Sequence, residues 1–154
     1  MTPATLITGA SAGIGAEFAR LLGAAGETLV IIGRRKDRLE ALAEELTRSH
    51  RVRVESIAID LARDEAADLL AEKVEALGLE IRTLINNAGF GLTGAFAEQP
   101  FERVLEMLEV NIVALTRLTR MFLPGMRARR TGGIINVAST AAFLPGPYMS
   151  VYYA

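Results

Sequence analysis

The stretch ATLITGASAGIG, residues 4–15, decides the fold of this 154-residue chain. Residues 4–8 form a short apolar run with β-branched side chains, which predicts a buried strand. Glycines follow at Gly9, Gly13 and Gly15, and apolar residues at helical spacing begin at Ile14. The stretch therefore predicts a strand, a glycine-rich turn and a helix. Glycines at such a turn let a pyrophosphate approach the backbone, and the helix N-terminus offers free N–H groups to it.

The same alternation of strand and helix continues along the chain. Five strands are expected, at residues 4–8, 28–32, 52–59, 83–85 and 133–138. Amphipathic spacing predicts complete helices at residues 13–25, 39–46, 64–77 and 101–123, and a further helix begins near Met149. Pro124-Gly125 is expected to end or kink the fourth helix. The pattern predicts an α/β fold, a doubly wound parallel sheet with helices on both faces, in a single domain over residues 1–154.

Composition narrows the classes of function. The formal net charge is −1, so nucleic acid is not favoured as a partner. There is no cysteine, and His50 is the only histidine, so neither disulfides nor a metal site are expected. The N-terminus lacks a targeting signal and no apolar run is long enough to span a bilayer. We therefore expect a cytoplasmic protein with no membrane partner.

Four motifs occur in a fixed order along the chain. Residues 8–15 read T-G-x-x-x-G-x-G, Asn-Asn-Ala-Gly occupies residues 86–89, Asn111 lies in the middle of a helix, and Ser139 closes the fifth strand. This ordered set resembles the short-chain dehydrogenase/reductase family over the whole chain. The resemblance implies a Rossmann fold with five of the family's strands present. It also implies an oxidoreductase that transfers a hydride between a nicotinamide cofactor and the carbonyl or secondary alcohol of a small-molecule substrate.

The resemblance also assigns a set of cofactor-binding residues. They lie in the glycine-rich turn and after the second, third and fourth strands: Gly9, Ser11, Gly13, Ile14, Gly15, Arg34, Arg35, Asp60, Leu61, Asn87, Ala88 and Gly89. An acid after the second strand would bond a ribose 2′-hydroxyl, but Arg34 and Arg35 stand there instead. Guanidinium groups pair with phosphate oxygens, so we predict NADP(H), with Arg34 as the main contact. The alternatives are that these arginines are solvated charges and that Asp60 caps the next helix.

The same resemblance supplies a catalytic set. Reduction of a carbonyl needs a positioned acid, and the family uses a tyrosine whose pKa a lysine lowers. Tyr152 is preferred to Tyr148 and Tyr153 because its distance along the chain from Ser139 matches the family's spacing. Ser139 would orient the substrate oxygen and Asn111 would hold a water in a proton relay. The lysine would fall just beyond Ala154, so residues 1–154 are expected to be a C-terminally truncated front portion that is inactive alone.

Several alternatives stay open at this point. A non-catalytic dinucleotide-binding or sensor protein could use the same scaffold, although the serine, tyrosine and asparagine argue against it. An extended-type epimerase or dehydratase is disfavoured because the usual G-x-x-G-x-x-G is missing. The apolar residues of the helix over 101–123 would suit a homo-oligomer or simply cover the sheet. One further apolar set would line a substrate pocket or form core under a loop: Phe90, Leu92, Phe96, Phe143, Leu144 and Tyr148.

Overall fold

The computed structural model describes residues 1–154 and contains one sheet of five parallel strands. In chain order the strands are β1 (Thr2–Thr8), β2 (Leu29–Gly33), β3 (Val54–Ala58), β4 (Leu79–Asn86) and β5 (Gly133–Asn136). The helices are α1 (Gly13–Ala24), α2 (Lys36–His50), α3 (Ala66–Ala76), α4 (Phe101–Leu108), α5 (Leu115–Arg129) and α6 (Ser150–Tyr153). A π-helical segment, Glu109–Ala114, joins α4 to α5. The predicted doubly wound α/β fold is confirmed.

Two apolar layers cover the two faces of the sheet. Because successive side chains of a strand point to opposite faces, Leu6 lies in one layer and Ile7 in the other. The Leu6 layer packs against α3 and α5, and the Ile7 layer packs against α1 and α2. Residues 29–32 of β2 are fully buried, which is the expected consequence of their unbroken apolar run.

The strand order β3-β2-β1-β4-β5 reverses direction at β1. β1 pairs with β2 on one side, with Thr8 opposite Ile32, and with β4 on the other, with Ile7 opposite Ile85. The carboxyl ends of these three strands therefore meet at one edge of the sheet. In open α/β sheets ligands bind in the crevice at this edge, at the point where the strand order reverses.

Several predicted boundaries were wrong. Pro124 does not end its helix, since α5 continues to Arg129 with the proline inside it, and the expected kink stays a prediction. β4 begins at Leu79 rather than at residue 83, because the polar residues Glu80 and Arg82 alternate with buried ones and pair with each other on the surface. β5 ends at Asn136, so Ser139 lies beyond the strand rather than closing it. No helix combines the length and apolar character that a bilayer crossing needs.

Candidate active site

The glycine-rich turn connects β1 to α1 in a conformation that only glycines adopt easily. Gly9 has φ +68° and Gly13 has φ +57°, both in the left-handed region. Ala12, which precedes α1, is extended and has no side chain that caps the helix. A Cβ at Gly13 would meet nothing within 4 Å. Ala12 therefore supplies no side-chain acceptor to the first N–H groups of α1, the space beside Gly13 is open, and Ile14 is exposed.

Gly15 and Gly9 are needed for a different reason, which is close packing against the end of β4. A Cβ on Gly15 would lie 2.5 Å from Asn87 Nδ2 and 2.6 Å from the Gly9 carbonyl oxygen. A Cβ on Gly9 would lie 2.9 Å from Ala88 Cα. Gly13 is thus needed for the turn conformation, Gly15 for close packing against Asn87, and Gly9 for both.

Thr8 fastens the glycine-rich turn to the Asn-Asn-Ala-Gly motif. Its hydroxyl oxygen accepts hydrogen bonds from the backbone N–H groups of Asn87 and Ala88, both at 2.8 Å. The Asn87 amide nitrogen donates in return to the Thr8 carbonyl at 2.9 Å. Sequence reasoning gives Thr8 no role beyond opening the motif. The sequence does offer one indication of this role. Thr8 ends a strand that is predicted to be buried, and a buried hydroxyl needs hydrogen-bond partners.

The two arginines after β2 have different partners. Arg35 donates to Ser11 Oγ from Nε at 3.2 Å and from Nη2 at 3.0 Å, which draws it towards the glycine-rich turn. Arg34 Nη1 lies 2.7 Å from Glu106 Oε1 on α4. Both side chains stand at the carboxyl edge of the sheet. Their roles in cofactor binding remain a prediction, since both contacts lie on the exposed surface.

A cleft of about 460 Å³ lies beside Arg34 at the ends of β2 and β3. Asp60 lines it, and its carboxylate accepts from Ala62 N at 3.2 Å. This bond closes a local turn and does not cap α3, which begins at Ala66 with Glu65 before it. The predicted alternative role of Asp60 as a cap is wrong. The side chain of Leu61 is buried in the Leu6 layer, so a ligand in this cleft could contact only its backbone.

Asn111 lies in the π-helical segment and forms two hydrogen bonds to the loop that follows β4. Its Oδ1 accepts from Phe90 N at 3.0 Å, and its Nδ2 donates to the Phe90 carbonyl at 2.9 Å. Gly89 is pressed against it, since a Cβ there would lie 3.1 Å from Oδ1. The structure thus brings Asn111 to the Asn-Asn-Ala-Gly motif.

Tyr152 meets the same loop from the other side. A Cβ on Gly91 would lie 3.3 Å from Cδ2 of the Tyr152 ring, and the ring packs edge-on against Tyr153 at 6.3 Å between centroids. Gly94 N donates to the Tyr148 carbonyl at 2.8 Å. The loop over residues 89–94 is therefore held between Asn111 and the segment that carries Tyr152.

Ser139 lies beyond β5 and precedes a 3-10 turn, Thr140–Phe143. Its Oγ accepts from Ala141 N at 3.1 Å. Of the apolar set whose role stayed open, four side chains are too exposed to be core: Phe96, Phe143, Leu144 and Tyr148. No group of three or more histidine, cysteine, aspartate or glutamate side chains is placed to hold a metal ion.

Residues 3–154 match the short chain dehydrogenase family, and the chain belongs to it. Very-long-chain 3-oxoacyl-CoA reductase from Phaeosphaeria nodorum is 34% identical over 151 residues, which are 96% of this chain and 44% of that protein. The Homo sapiens protein of the same name is 33% identical over 153 residues, 97% of this chain and 48% of that protein. The chain thus spans about half the length of the curated relatives it matches.

Solved structures agree with this assignment. A short-chain dehydrogenase from Sphingobium yanoikuyae in complex with NADPH superposes with a TM-score of 0.91 at 37% identity, covering 99% of this chain and 59% of that one. L-Sorbose reductase from Gluconobacter frateurii, complexed with NADPH and L-sorbose, gives a TM-score of 0.91 at 36% identity, covering 99% of this chain and 58% of that one. The predicted family resemblance is confirmed.

Proposed function

We propose that the protein is an oxidoreductase that transfers a hydride between NADP(H) and the carbonyl or secondary alcohol of a small molecule. The observation that carries this proposal is the meeting, at one edge of the sheet, of the glycine-rich turn, two arginines and the loop held by Asn111 and Tyr152. The relatives named as reductases, and the similar structures solved with NADPH, support it.

The residues at this edge fit a dinucleotide. The uncapped N-terminus of α1 and the open space beyond Gly13 suit pyrophosphate oxygens, which accept from backbone N–H groups. Arg34 and Arg35 suit the 2′-phosphate. Asp60, the backbone of Leu61 and the residues 87–89 would surround the adenosine. Ser11, already bonded to Arg35, would share the phosphate contacts.

Side chains of this chain would then transfer the proton and orient the substrate oxygen. NADP(H) supplies or accepts the hydride when bound. Tyr152 would donate a proton to the carbonyl oxygen, or remove one from the alcohol. Ser139 can donate to the same oxygen, because its Oγ accepts from Ala141 N and its O–H proton remains free. The Asn111 carboxamide uses one lone pair of Oδ1 and one N–H of Nδ2 on Phe90, so its second lone pair and second N–H could hold a relay water.

Replacing one tyrosine at a time tests this proposal. NADPH oxidation would be followed by absorbance with a panel of aliphatic, aromatic and 3-oxoacyl ketones, in a chain that extends beyond residue 154 and carries the expected lysine. Tyr152→Phe should lower kcat by about 100-fold or more, as expected for loss of a general acid. Tyr153→Phe, which removes the neighbouring hydroxyl from the same helix, should retain activity. Tight NADPH binding without turnover on any ketone would favour the non-catalytic alternative instead.

The surface of α4, the π-helical segment and α5 supports a homo-oligomer as part of the proposal. Phe101, Leu105, Ile112 and Leu123 are large apolar side chains on it that stay exposed. Exposed apolar patches of this kind mark interaction surfaces. Light scattering of the protein and of its Leu105→Glu variant would test this proposal. A monomeric wild-type protein would contradict it.

A further inference from the structure

Glu106 on α4 is bonded by two arginines at once. Its Oε1 pairs with Arg34 Nη1 at 2.7 Å, and its Oε2 pairs with Nη1 of Arg103, one helical turn away. The Arg103 guanidinium also lies over the Phe90 ring, 5.1 Å from its centroid. The Arg34–Glu106 pair joins residues 72 apart in sequence, from the end of β2 to α4.

The two partners of this pair are not equally exposed. The Glu106 side chain is 20% exposed, whereas that of Arg34 is 57% exposed and borders the open cleft. Arg34 is therefore the partner that can leave. Because Arg103 stays bonded to the other carboxylate oxygen, departure of Arg34 does not leave Glu106 as an unpaired charge. An unpaired, partly buried carboxylate would otherwise oppose the exchange.

We infer that Glu106 is a specificity-determining residue, which competes with the 2′-phosphate of NADP(H) for Arg34. The inference rests on the proposed function, in which Arg34 reads that phosphate. In the free protein Arg34 Nη1 is held by a carboxylate, so a 2′-phosphate that pairs with both arms of the guanidinium must displace Glu106 from Nη1. NAD(H) lacks the phosphate and takes no part in this exchange. Glu106 thus sets the ratio of the two affinities rather than the strength of dinucleotide binding as a whole.

The effect is expected to be modest because the pair is exposed on the Arg34 side. Glu106→Gln should tighten NADPH binding about two- to fivefold, the range for a surface ion pair, and leave the Kd for NADH unchanged. Raising the ionic strength should shrink the gain, since salt screens exposed charges. A residue that merely positioned Arg34 for phosphate would behave in the opposite way, and its loss would weaken NADPH binding.

The test compares Kd values for NADPH and NADH, measured by nicotinamide fluorescence at low ionic strength, in five proteins. They are the wild type, Glu106→Gln, Glu102→Gln, Arg34→Gln and the double variant Arg34→Gln/Glu106→Gln. Glu102 is exposed on the same helix and makes no ion pair, so its variant removes the same charge without the contact. We expect the NADPH gain in Glu106→Gln alone, and none from Glu106→Gln in the Arg34→Gln background.

The outcomes separate this inference from the proposed function. If the wild type prefers NADPH and Arg34→Gln removes that preference, the cofactor proposal holds. With that preference established, an unchanged or weakened NADPH affinity in Glu106→Gln overturns the role of Glu106 alone. An equal gain in Glu102→Gln, or a gain that persists without Arg34, overturns it as well. If the wild type binds NADH as tightly as NADPH, the cofactor proposal and this inference both fail.

Discussion

Asn111 and Phe90 are joined by two hydrogen bonds, so one side-chain amide satisfies both main-chain groups of a residue in another segment. Phe90 N lies 3.0 Å from Oδ1, and its carbonyl oxygen lies 2.9 Å from Nδ2. Asparagine is normally unfavourable in the middle of a helix, because its side chain competes for backbone bonds. Here that competition is absent because both ends of the carboxamide bond outside the helix.

Asn111→Ala should therefore destabilise the protein and free the loop. It leaves a partly buried N–H and a carbonyl without partners, which costs about 1–3 kcal/mol of unfolding free energy. Urea unfolding measures that loss, and hydrogen exchange should show that the Phe90 N–H loses protection. Arg120→Ala, at an exposed position of the adjoining helix α5, should change stability by no more than about 0.5 kcal/mol. Retained protection of the Phe90 N–H in Asn111→Ala would contradict the role given to this pair.

Thr8→Val tests the link between β1 and the end of β4. Valine matches threonine in shape but lacks the oxygen that accepts from Asn87 N and Ala88 N. The two N–H groups would lose their acceptor, so we expect a loss of about 1–3 kcal/mol in urea unfolding. Thr8→Ser keeps the oxygen and serves as the control, with a smaller loss from the missing methyl group. Equal losses in the two variants would show that the hydroxyl is unimportant.

Gly15→Ala tests close packing separately from backbone conformation. Its new methyl group would lie 2.5 Å from Asn87 Nδ2, so overpacking should cost about 1–3 kcal/mol and weaken NADPH binding. Gly26→Ala is the control, because Gly26 has φ +86° and open space around it. It should cost about 1–2 kcal/mol through left-handed strain and leave NADPH binding unchanged. Thermal melts and NADPH titrations measure the two effects. Unchanged stability of Gly15→Ala would contradict the packing argument, and unchanged NADPH affinity would contradict the role of this packing in cofactor binding.

The Arg20–Glu45 pair between α1 and α2 makes stability depend on pH. Arg20 donates to Glu45 from Nε at 2.8 Å and from Nη2 at 3.2 Å, and these bonds hold the pKa of Glu45 below its ordinary 4.5. The carboxylate therefore binds fewer protons in the folded than in the unfolded protein. Its stabilising effect is complete above the unfolded pKa of 4.5 and is lost as pH falls below that value.

Glu45→Gln should accordingly lower Tm at pH 7 and have no effect in acid. Both side chains are 42% exposed, so solvent screens the pair and the expected decrease at pH 7 is only about 1–2 °C. The difference in Tm between the two proteins should shrink as pH falls below 4.5 and vanish once the pH lies below the lowered pKa of Glu45. Circular dichroism melts at several pH values measure it. A difference that stays constant with pH would exclude ionisation of Glu45 as the cause.

The sequence was most informative where local pattern and burial agree. The unbroken run of residues 29–32 predicted a strand buried on both faces, and the three glycines predicted the turn after β1. Predictions of element boundaries failed where ion pairs on the surface or tertiary packing override the secondary-structure propensity of single residues. Leu79 and Ile81 are buried in β4, yet Glu80 and Arg82 between them resemble loop residues. Tertiary packing likewise carries α5 through Pro124, which local propensity alone would not allow.

The sequence selects the candidate site residues, whose roles stay a prediction, but it does not predict the hydrogen bonds between them. The motifs and their spacing select Asn111 and Tyr152. The two hydrogen bonds between Asn111 and Phe90 depend on how the helix packs against the loop, which the sequence does not show. Glu106 was missed altogether, because its partner Arg34 lies 72 residues earlier. A surface glutamate on a helix carries no local signal for such a contact. Only the strand order, which brings the end of β2 near α4, creates it.

The bonds between Thr8 and residues 87–88 also order events in folding. Thr8 and Asn87 are 79 residues apart, so these bonds form only when β4 has paired with β1. Closing a loop of that length sacrifices chain entropy, which the pairing of β4 with β1 must recover. The glycine-rich turn therefore reaches its final geometry only with the central sheet. During synthesis, the proposed dinucleotide site cannot be complete until residue 88 has been added and has bonded to Thr8.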